Sequence, residues 1–198
     1  MKKTAPIEGW MTLWDVLPCG LWLPYARKQN NLMVTYGMAA AMLFGYGDST
    51  YRINRFYVEY ENVASPSNIV SVPAYDVYDT RAYYEDLSAP RDYLRIPVLG
   101  SPTLSIASGY EDYFNAGEGN KLTFVGMTSG NAGMNGLEFS DSVNSKAFGL
   151  ALVSSPDSGD RTQDVIVTRG YFATGQQKVK ASSGQIGVSW ELIFKPST

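Results

Sequence analysis

The chain contains no histidine and one cysteine, Cys19, among its 198 residues. Without histidine there are no Ser-His-Asp triads, no Cys-His dyads, no H-E-x-x-H metal sites and no His-containing zinc sites. A lone cysteine forms no internal disulfide and no cysteine cluster, and fits synthesis in a reducing cytoplasm. Basic residues are also scarce: 16 Lys and Arg against 19 Asp and Glu give a formal charge of −3. A general nucleic-acid or acidic-membrane binder needs a basic field, so neither partner is expected. Long apolar runs are missing too. Met1-Lys2-Lys3 resembles the start of a secretion signal, but Thr4 to Gly9 interrupts it where an apolar stretch should follow. The segment from Trp10 to Leu23 is broken by Asp15, Pro18 and Gly20, too short and interrupted to span a bilayer. The expectation is a soluble protein without a cleaved signal. It should have one cored domain, with or without an arm.

What the chain does have changes character near residue 50. Before it lie Trp10, Trp14 and Trp22 with Leu13, Leu17, Leu21 and Leu23. Pro6, Pro18 and Pro24 argue against one regular helix, so residues 1–29 are read as an extended or segmented aromatic arm. Burying three tryptophans at ~150–250 Å² each represents roughly 11–19 kcal/mol of gross transfer free energy. Such a segment must find cover, either on its own domain or on a neighbouring subunit. Trp10, Leu13, Trp14, Leu17, Leu21 and Trp22 are the candidate interface residues.

The remainder, 30–198, reads as a β-domain led by one helix. Leu32, Met33, Tyr36, Ala39, Ala40, Leu43 and Phe44 recur at helical spacing, with Asn30 or Asn31 as cap and Gly45 and Gly47 as terminators. Strands are expected at Tyr51–Glu61, Ile69–Ala74, Tyr93–Leu99, Thr103–Ala107, Lys121–Met127, Ala147–Ser154 and Asp164–Phe172. The last is the clearest: Ile186, Val188, Trp190, Leu192 and Phe194 alternate with the residues between them. Short strands separated by Gly, Pro, Asn and Ser turns point to an antiparallel β-sandwich, jelly-roll-like in type. The acidic, tyrosine-rich connection Ala74–Asp92 is long enough to be functional or to fold against something.

No catalytic, cofactor or metal site is expected. The glycine-rich stretch Gly126–Gly136 lacks the Gly-Lys-Ser/Thr ending of a phosphate loop. Glu85, Asp86, Glu111, Asp112, Glu138 and Asp141 supply carboxylates of the kind a glycosidase pairs, but sequence spacing does not bring two together. Asp157-Ser158-Gly159-Asp160 is a turn rather than a full calcium loop. The 14 tyrosines suit sugar stacking, strands or protein interfaces equally.

Several segments carry a resemblance: Asn144-Ser145-Lys146-Ala147, Ala151-Leu152-Val153, Asp164-Val165-Ile166, Arg169-Gly170-Tyr171-Phe172 and the ending Gln185–Phe194. Leu32–Gly37 and Tyr57–Asn62 add to it. Together they resemble virion structural proteins of tailed bacteriophages. The resemblance implies a non-enzymatic β-sandwich component of the virion, made in the host cytoplasm. The leading expectation is a head-decoration or cement protein that bridges shell subunits, with the major capsid protein and further copies of itself as partners. A tail or baseplate component is the alternative, and a carbohydrate-binding module is the alternative from another class.

Overall fold

The computed structural model describes residues 7–29, 52–62, 91–128, 145–156, 164–176, 178–179 and 185–195. Among these described residues ten strands follow in order: β1 (Ile7–Val16), β2 (Trp22–Gln29), β3 (Ile53–Asn62), β4 (Arg91–Pro97), β5 (Thr103–Ser105), β6 (Lys121–Met127), β7 (Ser145–Ser154), β8 (Val165–Tyr171), β9 (Lys178–Val179) and β10 (Gln185–Phe194). They form two sheets, in the orders β2-β1-β10-β6-β5 and β4-β3-β7-β8, with β9 also pairing β7. Every pairing between these strands is antiparallel. The fold is therefore mainly β, two antiparallel sheets packed against each other, as expected of a β-sandwich.

Period-two patterning puts the core between the sheets. Ile186, Val188, Trp190 and Leu192 of β10 all face inward and are buried, as their alternation predicts. Met11 and Leu13 of β1 join them from the first sheet, and Phe56, Val58, Ile96, Leu150 and Leu152 from the second. Gly126 on β6 marks a close approach of the sheets. A Cβ there would stand 2.8 Å from the Phe56 ring and 3.2 Å from Ile96.

The two sheets are also stitched at their sides. Pro97 closes β4, an edge strand of the second sheet where a missing N–H is tolerated. The next two residues tie the sheets together: Val98 N donates to Asn54 O at 3.0 Å, and Leu99 N to Val125 O at 2.7 Å. On the opposite side, Lys28 Nζ donates to the Tyr171 carbonyl, and Lys178 pairs with Asp15.

Residues 7–29 are not an arm. β1 pairs residue by residue with β10 from Ile7↔Phe194 to Val16↔Gln185, and β2 folds back on β1 as a hairpin. Pro18 lies in the turn, where no ladder N–H is required. Gly20, at φ +83°, supplies the left-handed conformation the reversal needs. Pro24 is tolerated because β2 ends the sheet order and carries a bulge there. The expected helix at Leu32–Phe44, the strand at Ile69–Ala74 and most of the Ala74–Asp92 connection lie outside the described residues.

Candidate binding face of the first sheet

The strand register assigns the outward side chains of the first sheet. Trp10, Thr12 and Trp14 alternate with the inward Met11 and Leu13. Across β10 they meet Glu191, Ser189 and Gly187 respectively, and across β6 these meet Thr123, Val125 and Met127. One continuous face of indoles, hydroxyls and charges results.

Each tryptophan is held by its own chain. Trp14 donates its indole N–H to Ser189 Oγ at 2.9 Å. Trp22 lies over Gly187, where any Cβ would stand 2.5 Å from its ring, and its centroid is 6.3 Å from that of Trp14 at a 57° tilt. Trp10 donates to Glu8 Oε1 at 2.6 Å, and the Arg27 guanidinium sits 4.5 Å from its ring centre. Arg27 pairs with Glu191 at 2.6 Å, and Lys121 reaches the other Glu191 oxygen at 3.2 Å. Further along, Lys195 pairs with Glu8. That hydrogen bond holds the Glu8 carboxyl below its ordinary range against the opposing effect of burial, and pushes the Lys195 ammonium up.

A groove of about 410 Å³ opens on this face, lined by Thr12, Trp14, Trp22, Pro24, Arg27, Thr123, Val125, Ser189 and Glu191. A second cleft, of about 750 Å³, lies at the end of the sheet against Tyr110, Tyr113, Phe114, Asn120, Phe194 and Lys195. Asn120 fastens that end by accepting from Ala107 N and donating to Phe194 O.

The six residues singled out in the sequence thus divide. Leu13 is fully buried in the chain's own core and presents nothing outward. Trp10, Trp14 and Trp22 are half-buried on the outer face, and Leu17 is half-buried in the turn. Leu21 is exposed. Arg27, Thr123, Ser189 and Glu191 belong to the same face without having been singled out, because only the register brings them beside the tryptophans.

Of the sequence carboxylates, Glu111 and Asp112 lie in an exposed 3-10 turn, where Glu111 accepts from Gly109 N. Glu85, Asp86, Glu138, Asp141 and the Asp157–Asp160 turn fall outside the described residues. Among the described residues no group of three or more His, Cys, Asp or Glu stands where it would hold a metal ion, and no helix is long and apolar enough to cross a membrane. No protein-family model matches the chain, and no curated protein or solved structure shows significant similarity to it.

Proposed function

We propose that the chain is a non-enzymatic structural protein of a tailed-phage virion, decorating and stabilising the capsid by bridging neighbouring subunits. The observation that carries this reading is where its exposed apolar residues lie. Leu21 (55 % exposed), Leu23 and Tyr25 lie at the β2 end of the first sheet, Leu104 (53 %) lies on β5 at the other end with Leu99 on the opposite face, and Tyr113 and Phe194 are exposed at the second cleft. Exposed apolar residues at both ends of one sheet suit a head-to-tail contact between copies, which closes into a ring when the rotation permits. The tryptophans hold the hairpin to its own sheet, so the leucines, not the indoles, carry the bridging contact. The major capsid protein is the partner beneath such a ring.

The test is Leu21→Asp with Leu23→Asp at one end and Leu104→Asp at the other. Each variant should abolish self-association in sedimentation and lower the copy number on particles. Unchanged sedimentation with both ends charged would defeat the reading. Copy number per particle also separates the head from the tail alternative: hundreds for a shell component, at most a few dozen for a tail or baseplate one.

A further inference from the structure

We infer that the groove between Trp14, Trp22 and Glu191 is a binding site for a neutral pyranose sugar within a glycan. The inference rests on the make-up of the groove and is independent of the virion reading. Its volume, about 410 Å³, lies within the roughly 300–1,000 Å³ typical of small-molecule sites. Two indoles form its apolar wall, tilted to each other and each held in place, Trp14 by its bond to Ser189 and Trp22 by its seat on Gly187. A platform fixed before binding loses little side-chain entropy on binding.

The polar lining decides the ligand class. Thr123 supplies a hydroxyl, Arg27 a fork of donors, and Glu191 a carboxylate acceptor, while Thr12 and Ser189 are buried residues of the lining. An apolar occupant, such as a leucine from another protein, would desolvate Arg27 and Glu191 without offering either a hydrogen bond. A pyranose has an apolar C–H face for an indole and a rim of hydroxyls that both donate and accept. It satisfies both halves of the lining at once. Arg27 and Glu191 are the charged groups of the lining and are paired with each other, while Lys121, the second cation on Glu191, lies outside the lining, so the lining itself carries no net charge for a uronate or sulfate.

The test is calorimetric titration of the full chain with neutral hexasaccharides of glucose, xylose and mannose, and with acidic oligogalacturonate. At least one neutral probe should bind and shift tryptophan emission against the background of the buried Trp190. Trp14→Ala, Trp22→Ala and Glu191→Gln should each weaken it by roughly tenfold or more. Tyr113→Ala, in the separate cleft, should leave it unchanged. If Trp22→Ala loses near-ultraviolet circular dichroism, Glu191→Gln and Thr123→Val decide instead. Failure of every neutral probe to bind, tighter binding of oligogalacturonate, or binding that survives the groove variants and is lost in Tyr113→Ala would overturn the inference. So would a sedimentation change from oligomer to monomer in Trp14→Ala, which would make the groove a protein contact.

Discussion

The outer face of the second sheet carries a buried ion pair whose removal should behave in a way that simple counting of contacts does not predict. Arg95 on β4 stands opposite Tyr57 on β3. Arg95 Nη2 donates to Asp164 Oδ1 at 2.8 Å, with the two side chains 1 % and 0 % exposed. Tyr57 donates its hydroxyl to the other Asp164 oxygen, and Ser155 Oγ also meets Arg95 Nη2. Asp164→Asn keeps the shape and leaves a guanidinium facing a neutral amide. Breaking one side of a buried pair costs about 3–5 kcal/mol, against a total stability of about 5–15 kcal/mol for an ordinary domain. Arg95→Met strands the carboxylate instead. It should fall at the lower end of the same range, because the Tyr57 hydroxyl still donates to it. The double variant Arg95→Met/Asp164→Asn removes both charges together, and with them most of the penalty. Its cost should be smaller than the sum of the singles by at least ~2 kcal/mol. Urea unfolding followed by tryptophan emission and far-ultraviolet circular dichroism measures all three. Additivity within ~0.5 kcal/mol would show that the two groups do not act as a pair. A near-neutral Asp164→Asn would show that neither charge is held out of water.

Gly187→Ala should destabilise the chain by about 1–3 kcal/mol, since its Cβ would stand 2.5 Å from the Trp22 ring and 3.1 Å from Trp14 Cβ. Near-ultraviolet circular dichroism should report the displaced indole, and an unchanged spectrum would refute the seat assigned to Trp22. Gly126→Ala should cost a similar ~1–3 kcal/mol by overfilling the core against Phe56, Val188 and Ile96, with no change at the outer tryptophans. For the Glu8–Lys195 pair the lowered carboxyl and raised ammonium set the sign. Its contribution is complete between the ordinary values of the two groups, about 4.3 and 10.4. It is lost as pH falls through the depressed pKa of Glu8, and again as pH rises through the elevated pKa of Lys195. The melting-temperature gap between the native chain and Glu8→Gln should therefore be flat near neutrality, close in acid and narrow in strong base, where Trp10 and Arg27 still favour the carboxylate. A gap that widened in acid would contradict the pairing.

The fold was legible wherever one face of a strand is apolar and the other is not. β10 is the plainest case and β6 follows it, whereas β7 and β8, buried on both faces, were legible to within two residues as short apolar and β-branched runs. β1 was misread because its outward residues are tryptophans. With Trp10 and Trp14 outside and Met11 and Leu13 inside, both faces look hydrophobic and the period of two disappears. The prolines added to the error, since proline marks a turn and an edge strand here rather than the absence of a strand. The groove was not legible. Trp14 and Ser189 are 175 positions apart, and only the pairing of β1 with β10 puts a hydroxyl under an indole.

The two outer faces differ in what they can offer a partner. On the second sheet, Arg95, Tyr57, Ala151 and Arg169 lie in one cross-strand row, and all four are buried. Beside them Glu59 pairs with Arg169 at 2.6 Å, its own side chain 1 % exposed, and Val153 and Ile166 are buried outside the inter-sheet core cluster. Charges held out of water and already matched to each other have nothing left to exchange with an incoming molecule. On the first sheet, Glu191 bridges two cations with its side chain still 18 % exposed, and Arg27 is 53 % exposed. Those groups can trade a hydrogen bond to water for one to a ligand at little cost. Among the described residues the first sheet is therefore where both proposals are placed, the protein contact at its open ends and the sugar in its indole-lined groove.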